Sequence, residues 1–375
     1  MEINLARSGI DHCPVSLLGL KARDVVATLP VRYGYLPLRQ AIAARYDVTV
    51  PRVFPISGGT SFANWIACAA VLDGCGRGTE IIVERPTYEP LLRIPQTLGH
   101  RIRRLDRRYD DRFAIDLDRF AALVTTRTRL AIVSNLHNPT GARIPMATLR
   151  SMAAMLARVK GYLLVDEVYL ECLFRNRPES CVHAGPNVLT TNSLTKAYGL
   201  DGVRAGWILG PADIVALAGR INDVMTNNSV AAGELLALAA FRHHRAIDRR
   251  AHTLLDPNLA RVRTFLSREP RLQAYVPEGG NVLFARRVYD LGPFAEWMGL
   301  TGGDDTHFFR RARLAGCRIV SADEAIVHEV IPASRASTRW LLRRQFRRGT
   351  TWSQCLRDLE DSPRDEVAVL LDADA

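Results

Sequence analysis

Among 375 residues there are only three lysines, Lys21, Lys160 and Lys196, so chemistry that needs a side-chain amine has few places to occur. Lys21 follows Gly19-Leu20 in a charged N-terminal stretch. Lys160 precedes Gly161 at what reads as a helix C-terminus, where a cation suits the dipole. Lys196 alone lies in a polar strand-to-loop context, Thr191-Asn192-Ser193-Leu194-Thr195-Lys196-Ala197-Tyr198-Gly199. An amine there forms an imine readily if burial or neighbouring cations depress its pKa. Ser193 and Arg204 could bind a phosphate beside it. In isolation a Ser-x-x-Lys string is unspecific and reads as surface chemistry.

Four further signatures follow apolar runs. Ser57-Gly58-Gly59-Thr60-Ser61 opens a helix, where small residues expose backbone N–H groups and the dipole favours an anion. Arg85-Pro86-Thr87-Tyr88 places an aromatic after a strand. Ser134-Asn135-Leu136-His137-Asn138-Pro139-Thr140-Gly141 closes a strand with turn residues that are needed whatever the function. In Leu163-Leu164-Val165-Asp166-Glu167-Val168-Tyr169 an apolar strand ends in a carboxylate, which is costly to bury without a cation or strong donors. Each alone has an ordinary structural reading: a ligand-free N-cap, a packed tyrosine, a turn, an arginine-paired acid.

These segments must be carried by regular elements. Apolar runs at Glu80–Glu84, Thr128–Ser134, Tyr162–Val165, Val188–Thr191 and Val203–Leu209 read as strands. Helical patterns at Phe62–Leu72, Met146–Val159 and Ile214–Val224 lie between them. The alternation predicts an α/β sandwich with a largely parallel sheet, in which ligands gather at the carboxyl ends of strands.

Composition narrows the class further. With 47% hydrophobic and 24% charged residues, the chain is that of a globular protein. Seven scattered cysteines without CxxC or Cys/His spacing argue against a disulfide framework or a metal site and for a reducing cytoplasm. No signal peptide and no membrane span is expected. The net charge of +11 comes from dispersed arginines rather than one basic stripe, so a solvated surface is favoured over nucleic-acid binding.

Taken in order, Asn138-Pro139-Thr140-Gly141, Asp166-Glu167-Val168-Tyr169 and Ser193-Leu194-Thr195-Lys196 with Arg204 resemble the fold-type I, class I/II aminotransferases. Tyr33-Gly34 and Leu38-Arg39-Gln40-Ala41-Ile42-Ala43-Ala44-Arg45-Tyr46 resemble that family's N-terminal segment, and the likeness covers residues 1–285, with a large domain over about 45–225. The resemblance implies a three-layer αβα pyridoxal-phosphate (PLP) transferase fold with a mostly parallel central sheet. It further implies PLP as cofactor and transfer of an amino group between an amino acid and a 2-oxo acid through a Lys196 Schiff base. Asp166 would pair with the pyridine nitrogen, Asn138 and Tyr169 would bond the 3′-oxygen, and Tyr88 would stack on the ring. Gly59, Thr60, Ser61, Ser193 and Arg204 would hold the phosphate, and Gly34 would lie near the substrate. A homodimer is expected on the same ground. A PLP-dependent lyase or decarboxylase on the same scaffold, or a PLP-binding chimera with impaired catalysis, are the alternatives.

The pattern breaks in residues 286–375, where the family's small domain and its carboxylate-binding arginine are not recognisable. Arg318-Ile319-Val320-Ser321 is the nearest string and is read as coincidence. Residues 291–352, including Gly299–Arg311, Ala315–Ile319, Ala325–Glu329 and Arg343–Gly349, resemble instead the acceptor side of family 2 glycosyltransferases, in which Asp305 would match the catalytic base. The metal-binding Asp-x-Asp half is missing. Asp116-Leu117-Asp118 and Asp372-Ala373-Asp374 match the string but not the position, so glycosyl transfer is not expected. Asp304-Asp305 is read as a solvated pair at a helix N-terminus. The arginines around Trp340 are read as a solvated face. A fusion, a frameshift or assembly chimera, and a rearranged small domain all remain open as origins of this segment.

Overall fold

Seven strands form one sheet in a computed structural model of the chain: β1 (Val53–Ser57), β2 (Glu80–Arg85), β3 (Arg101–Asp106), β4 (Thr128–Ser134), β5 (Tyr162–Asp166), β6 (Val188–Ser193) and β7 (Ala205–Leu209), in the order β1-β7-β6-β5-β4-β2-β3. The structure describes residues 9–26, 28–30, 33–174, 179–270, 272–280, 284–286, 290–291 and 304–317, with separate positions between 338 and 359. β2 to β6 pair in parallel, whereas β7 runs antiparallel to both β6 and β1.

The five expected strands are all present, with shifted ends. Val203 is not in β7: residues Asp201–Val203 form a short 3-10 turn, and Arg204 takes a left-handed conformation before the strand begins. β1 and β3 are additional. β1 contains Pro55, which an edge strand tolerates because one side needs no ladder partner. β3 reads Arg-Ile-Arg-Arg-Leu-Asp and is mostly half-exposed at the opposite edge; its charges blunt that edge and mask its strand pattern.

Period-two alternation divides the sheet into two faces. Ile81, Val83, Leu130, Ile132, Leu164, Leu189 and Ile208 face one core, shared with α2 (Thr60–Leu72), α3 (Glu89–Thr97) and α6 (Ala212–Thr226). Ile82, Ala131, Val133, Leu163, Val165 and Val188 face the other, which includes residues of α4 (Leu117–Leu123) and α5 (Met146–Ala157). Burial on both faces explains why the central strands read as continuous apolar runs. A third cluster joins α1 (Leu36–Tyr46) and α7 (Ala231–Arg242) to Trp207, Tyr198 and Leu194. α8 (His244–Arg268) follows, then a short antiparallel pair, β8 (Ala274–Tyr275) and β9 (Phe284–Ala285). The result is the expected three-layer α/β architecture.

Contacts divide the chain into two compact units, with residues 7–286 in one and residues 287–375 in the other. In the second, α9 (Asp304–Leu314) starts at Asp304, so Asp304-Asp305 does occupy a helix N-terminus. His307 Nε2 lies 2.7 Å from Asp358 Oδ2, and Arg310 stacks over Trp352 at 4.9 Å. Arg318–Ser321, Ala325–Glu329, the arginines around Trp340 and Asp372–Asp374 lie outside the described residues. Among the described residues, no helix is long and apolar enough to cross a membrane.

Candidate active site

All seven strands present an end to one side of the sheet, β3 with Asp106 beside Arg85. β1, β2, β4, β5 and β6 end there at Ser57, Arg85, Ser134, Asp166 and Ser193, and the reversed β7 starts there at Ala205, opposite Ser57. α2 leaves the same edge directly after Gly58-Gly59, so its positive N-terminal end lies among these residues.

Asp166 is 3% exposed. Asn64 Nδ2 donates to its Oδ2 at 2.8 Å and the Val168 N–H donates to its Oδ1 at 3.0 Å. Asn64 is held in turn by the Thr191 hydroxyl, which donates to Asn64 Oδ1. Burial pushes the Asp166 carboxyl up to about 6, opposed by the Asn64 and Val168 bonds and by the positive charge of Lys196. Lys196 is therefore close enough to Asp166 to act on it electrostatically.

The Lys196 backbone is tied to the N-terminal stretch. Ile10 N–H donates to the Lys196 carbonyl at 3.4 Å and Cys13 N–H to the Gly199 carbonyl at 2.9 Å. A Cβ on Gly9 would lie 3.8 Å from both Lys196 Cα and Cδ. Gly34 is placed differently: it packs against Pro55 and Arg39, where a Cβ would fall 2.4 Å from Pro55 Cγ.

Hydroxyls and glycines line the start of α2. Thr60 Oγ1 donates to Ser193 Oγ at 2.7 Å, and Ser193 Oγ lies 2.6 Å from Thr195 Oγ1. Gly59 has φ +76°, a left-handed conformation that glycine adopts without strain. The Gly58 and Gly59 N–H groups donate to the Arg204 carbonyl at 2.6 and 3.0 Å, and the exposed Arg204 guanidinium donates back to the Gly58 carbonyl. A Cβ on Gly59 would meet that guanidinium at 3.1 Å, and one on Gly206 would meet the Gly59 carbonyl carbon at 2.8 Å. Ser61 Oγ lies 3.4 Å from the Tyr88 hydroxyl, and Tyr88 is 39% exposed. Asn138 is half-buried, its N–H donating to Ser134 Oγ at 2.9 Å. The turn that carries it adjoins the Asp166 segment: Asn135 N–H donates to the Asp166 carbonyl at 2.8 Å, and buried Tyr169 packs in one cluster with Leu136.

Two supporting residues escaped the sequence reading. Asn64 is a lone amide in the apolar run Phe62–Leu72. Glu171 lies in an apolar run too, and its carboxylate receives donors from Arg45, Tyr46, Tyr198 and Asn192. Asn192 and Tyr198 bracket Lys196, so one buried acid anchors both sides of the lysine loop.

These features fit a phosphorylated pyridine cofactor. A buried carboxyl with a raised pKa favours a cationic ring nitrogen as its partner. A glycine turn, hydroxyls, an arginine and a helix N-terminus suit a phosphate, and Lys196 follows three residues after Ser193, the hydroxyl partner of Thr195, in the loop that leaves β6.

Residues 19–280 match the model of the family "Aminotransferase class I and II". Capreomycidine synthase of Streptomyces vinaceus is 31% identical over 255 residues, covering 66% of this chain and 64% of that protein. Arginine–pyruvate transaminase of Pseudomonas aeruginosa is 32% identical over 192 residues, covering 49% of this chain and 48% of that protein. This chain thus spans less than two thirds of either relative. A crystal structure of the PLP-dependent cyclase OrfR superposes with a TM-score of 0.66 at 26% identity, over 77% of this chain and 79% of that one. With residues 19–280 matched, the chain belongs to the class I and II aminotransferase family, with pyridoxal 5′-phosphate as its cofactor.

Proposed function

We propose that the protein transfers an amino group between an amino acid and a 2-oxo acid, with Lys196 as the covalent anchor of the cofactor. The observation that carries this reading is Asp166, a buried carboxyl at the end of β5, held by Asn64 and Val168 and paired with the strand that leads to Lys196. When bound, pyridoxal phosphate supplies an electron-withdrawing ring that stabilises negative charge at the substrate Cα. Lys196 Nζ, the covalent anchor until the substrate amine displaces it, would then be the base that takes up the proton released from the substrate Cα. Asp166 holds a proton on the pyridine nitrogen. Asn138 and Tyr169 would donate to the 3′-oxygen, Tyr88 would cover the ring, and Gly59, Thr60, Ser61, Ser193 and Arg204 would hold the phosphate. On the substrate side, the neighbouring geometry supports Gly9, whose Cβ direction faces Lys196, more than Gly34, whose Cβ direction is closed by Pro55.

Residues 1–285 are read as the catalytic part of a cytoplasmic homodimer. Residues 286–375 are read as a segment resembling part of a glycosyltransferase, without sugar transfer of its own.

A second reading is supported by the synthase and the cyclase among the relatives: the same residues could direct elimination or ring closure, because the scaffold chooses which bond breaks.

Visible absorbance tests both. The protein with PLP should show a band that Lys196→Ala abolishes. Arginine, the donor in the name of the Pseudomonas relative, should bleach it, and pyruvate should restore it. A bleached band that no 2-oxo acid restores, with release of a rearranged amino acid, would favour the second reading. A band indifferent to Lys196 refutes both.

A further inference from the structure

At the carboxyl end of β2 a second acid lies deeper than Asp166, and none of the roles above uses it. Glu84 and Arg107 have side chains with no exposure at all, and Arg107 Nη1 donates to Glu84 Oε2 at 2.8 Å. Arg107 Nε donates to the Phe113 carbonyl at 2.6 Å. The other Glu84 oxygen, Oε1, receives both the N–H and the hydroxyl of Ser134, each at 2.6 Å. Because the Ser134 proton is committed to Glu84, its lone pair faces the Asn138 N–H, which donates to it at 2.9 Å.

His137, next to Asn138, closes the arrangement. Its Nε2 lies 2.8 Å from the Pro86 carbonyl and its Nδ1 2.6 Å from Thr140 Oγ1. A carbonyl only accepts, so Nε2 carries the proton and Nδ1 accepts from Thr140. Burial and the Arg107 charge hold this ring well below its ordinary pKa, and it stays neutral 3.7 Å from Glu84. Tyr275 is the remaining titratable neighbour, acting on Arg107.

A buried ion pair is a poor source of stability compared with apolar packing of the same volume. It does fix geometry, since each group accepts few arrangements in a low-dielectric interior. Here the fixed geometry reaches two loops at once: the turn with Asn138, through Ser134, and the loop with Tyr88, through His137 and Pro86.

We propose that Glu84, braced by Arg107, is a positioning residue that sets Asn138 through the Ser134 hydroxyl. The inference rests on the reading of Asn138 as a donor to the cofactor 3′-oxygen. Such a donor stabilises negative charge on that oxygen, so its loss or misplacement raises the pH at which the lysine-linked absorbance band changes.

The test is a pH titration of that band in the PLP-loaded protein, for wild type, Ser134→Ala, Asn138→Ala and the double variant. Ser134→Ala keeps the Glu84–Arg107 pair and is chosen for that reason; Glu84→Gln, which strands the Arg107 charge, serves as a second probe. Asn138→Ala is expected to raise the midpoint by about one pH unit. Ser134→Ala and Glu84→Gln should raise it by a smaller amount, and the double variant should match Asn138→Ala alone. If Asn138→Ala moves the midpoint and Ser134→Ala does not, or if the shifts add in the double variant, the positioning role is overturned and the functional reading survives. If Asn138→Ala has no effect, the assignment of Asn138 falls and the inference with it. If the wild type shows no lysine-dependent band, the functional reading fails first.

Discussion

The Asn64 amide, on the first helix after the glycine turn, donates to Asp166 Oδ2 at 2.8 Å, so the carboxylate at the end of β5 is aimed by a helix packed on the sheet. This bond opposes the burial that raises Asp166. Asn64→Leu removes it and should push Asp166 further up, leaving less of it ionised to meet a protonated ring. A hydrogen bond to a charged group contributes about 1.5 kcal/mol, so PLP affinity should fall roughly tenfold. Fluorescence titration with PLP measures this directly, and unchanged affinity would dissociate Asn64 from the site.

The pH dependence of stability has a definite sign. Burial raises Asp166 to about 6 and Glu167 to about 7, above their unfolded values. The folded chain therefore binds more protons between those limits, and stability falls as pH rises through the folded pKa values. Without cofactor, the thermal midpoint should decrease from about pH 4 to about pH 7 and level off above that. With PLP bound, a cation beside Asp166 should flatten its share of the slope. Calorimetry with and without PLP compares the two curves; an upward slope in the cofactor-free protein contradicts the burial described here.

Buried and exposed ion pairs should respond very differently. Glu171 is 2% exposed at its side chain and Arg45 is 7% exposed, and Glu171→Gln removes the shorter of two carboxylate contacts to Arg45, keeping Asp248 at 3.6 Å. The expected loss is about 3 kcal/mol. Arg85 and Asp106 are 48% and 45% exposed, and Asp106→Asn should cost less than about 1 kcal/mol. Urea unfolding of both variants decides whether Glu171 anchors the lysine loop; equal small losses would show that it does not.

Two glycines on either side of Arg204 give a steric control. Gly206→Ala places a methyl 2.8 Å from the Gly59 backbone, whereas nothing lies within 4 Å of a Cβ on Gly202. Gly206→Ala should destabilise by about 1–3 kcal/mol and weaken PLP binding, because the shifted backbone is the glycine turn itself. Gly202→Ala should leave both near wild type. Denaturation midpoints and PLP titration of the pair test this contrast.

The central strands were legible because burial on both faces makes them apolar throughout, and the site motifs because each falls where a strand ends. β3 was hidden by Arg101, Arg103 and Arg104, which belong on an edge, and β1 by Pro55. Within the site, Lys196, Asp166 and Ser193 could be picked out because their residue types imply chemistry. Asn64 and Glu171 could not, since a buried amide or acid acquires its meaning from partners about a hundred positions away in sequence. Gly9 shows the same limit: its approach to Lys196 comes from packing and has no counterpart in the sequence pattern.

The reversal of β7 has a consequence for how the protein can change. Because β6 runs towards the site and β7 runs away from it, the segment from Leu194 to Arg204 leaves the sheet edge and returns to it. The amine and the guanidinium proposed to grip two neighbouring substituents of one small molecule thus share a single closed loop. A residue inserted or deleted in that loop would move the two grips relative to each other, while the same change between β2 and β3 would move neither. The Leu194–Arg204 loop should therefore be the stretch of this chain least tolerant of length variation, even though much of it is connecting backbone.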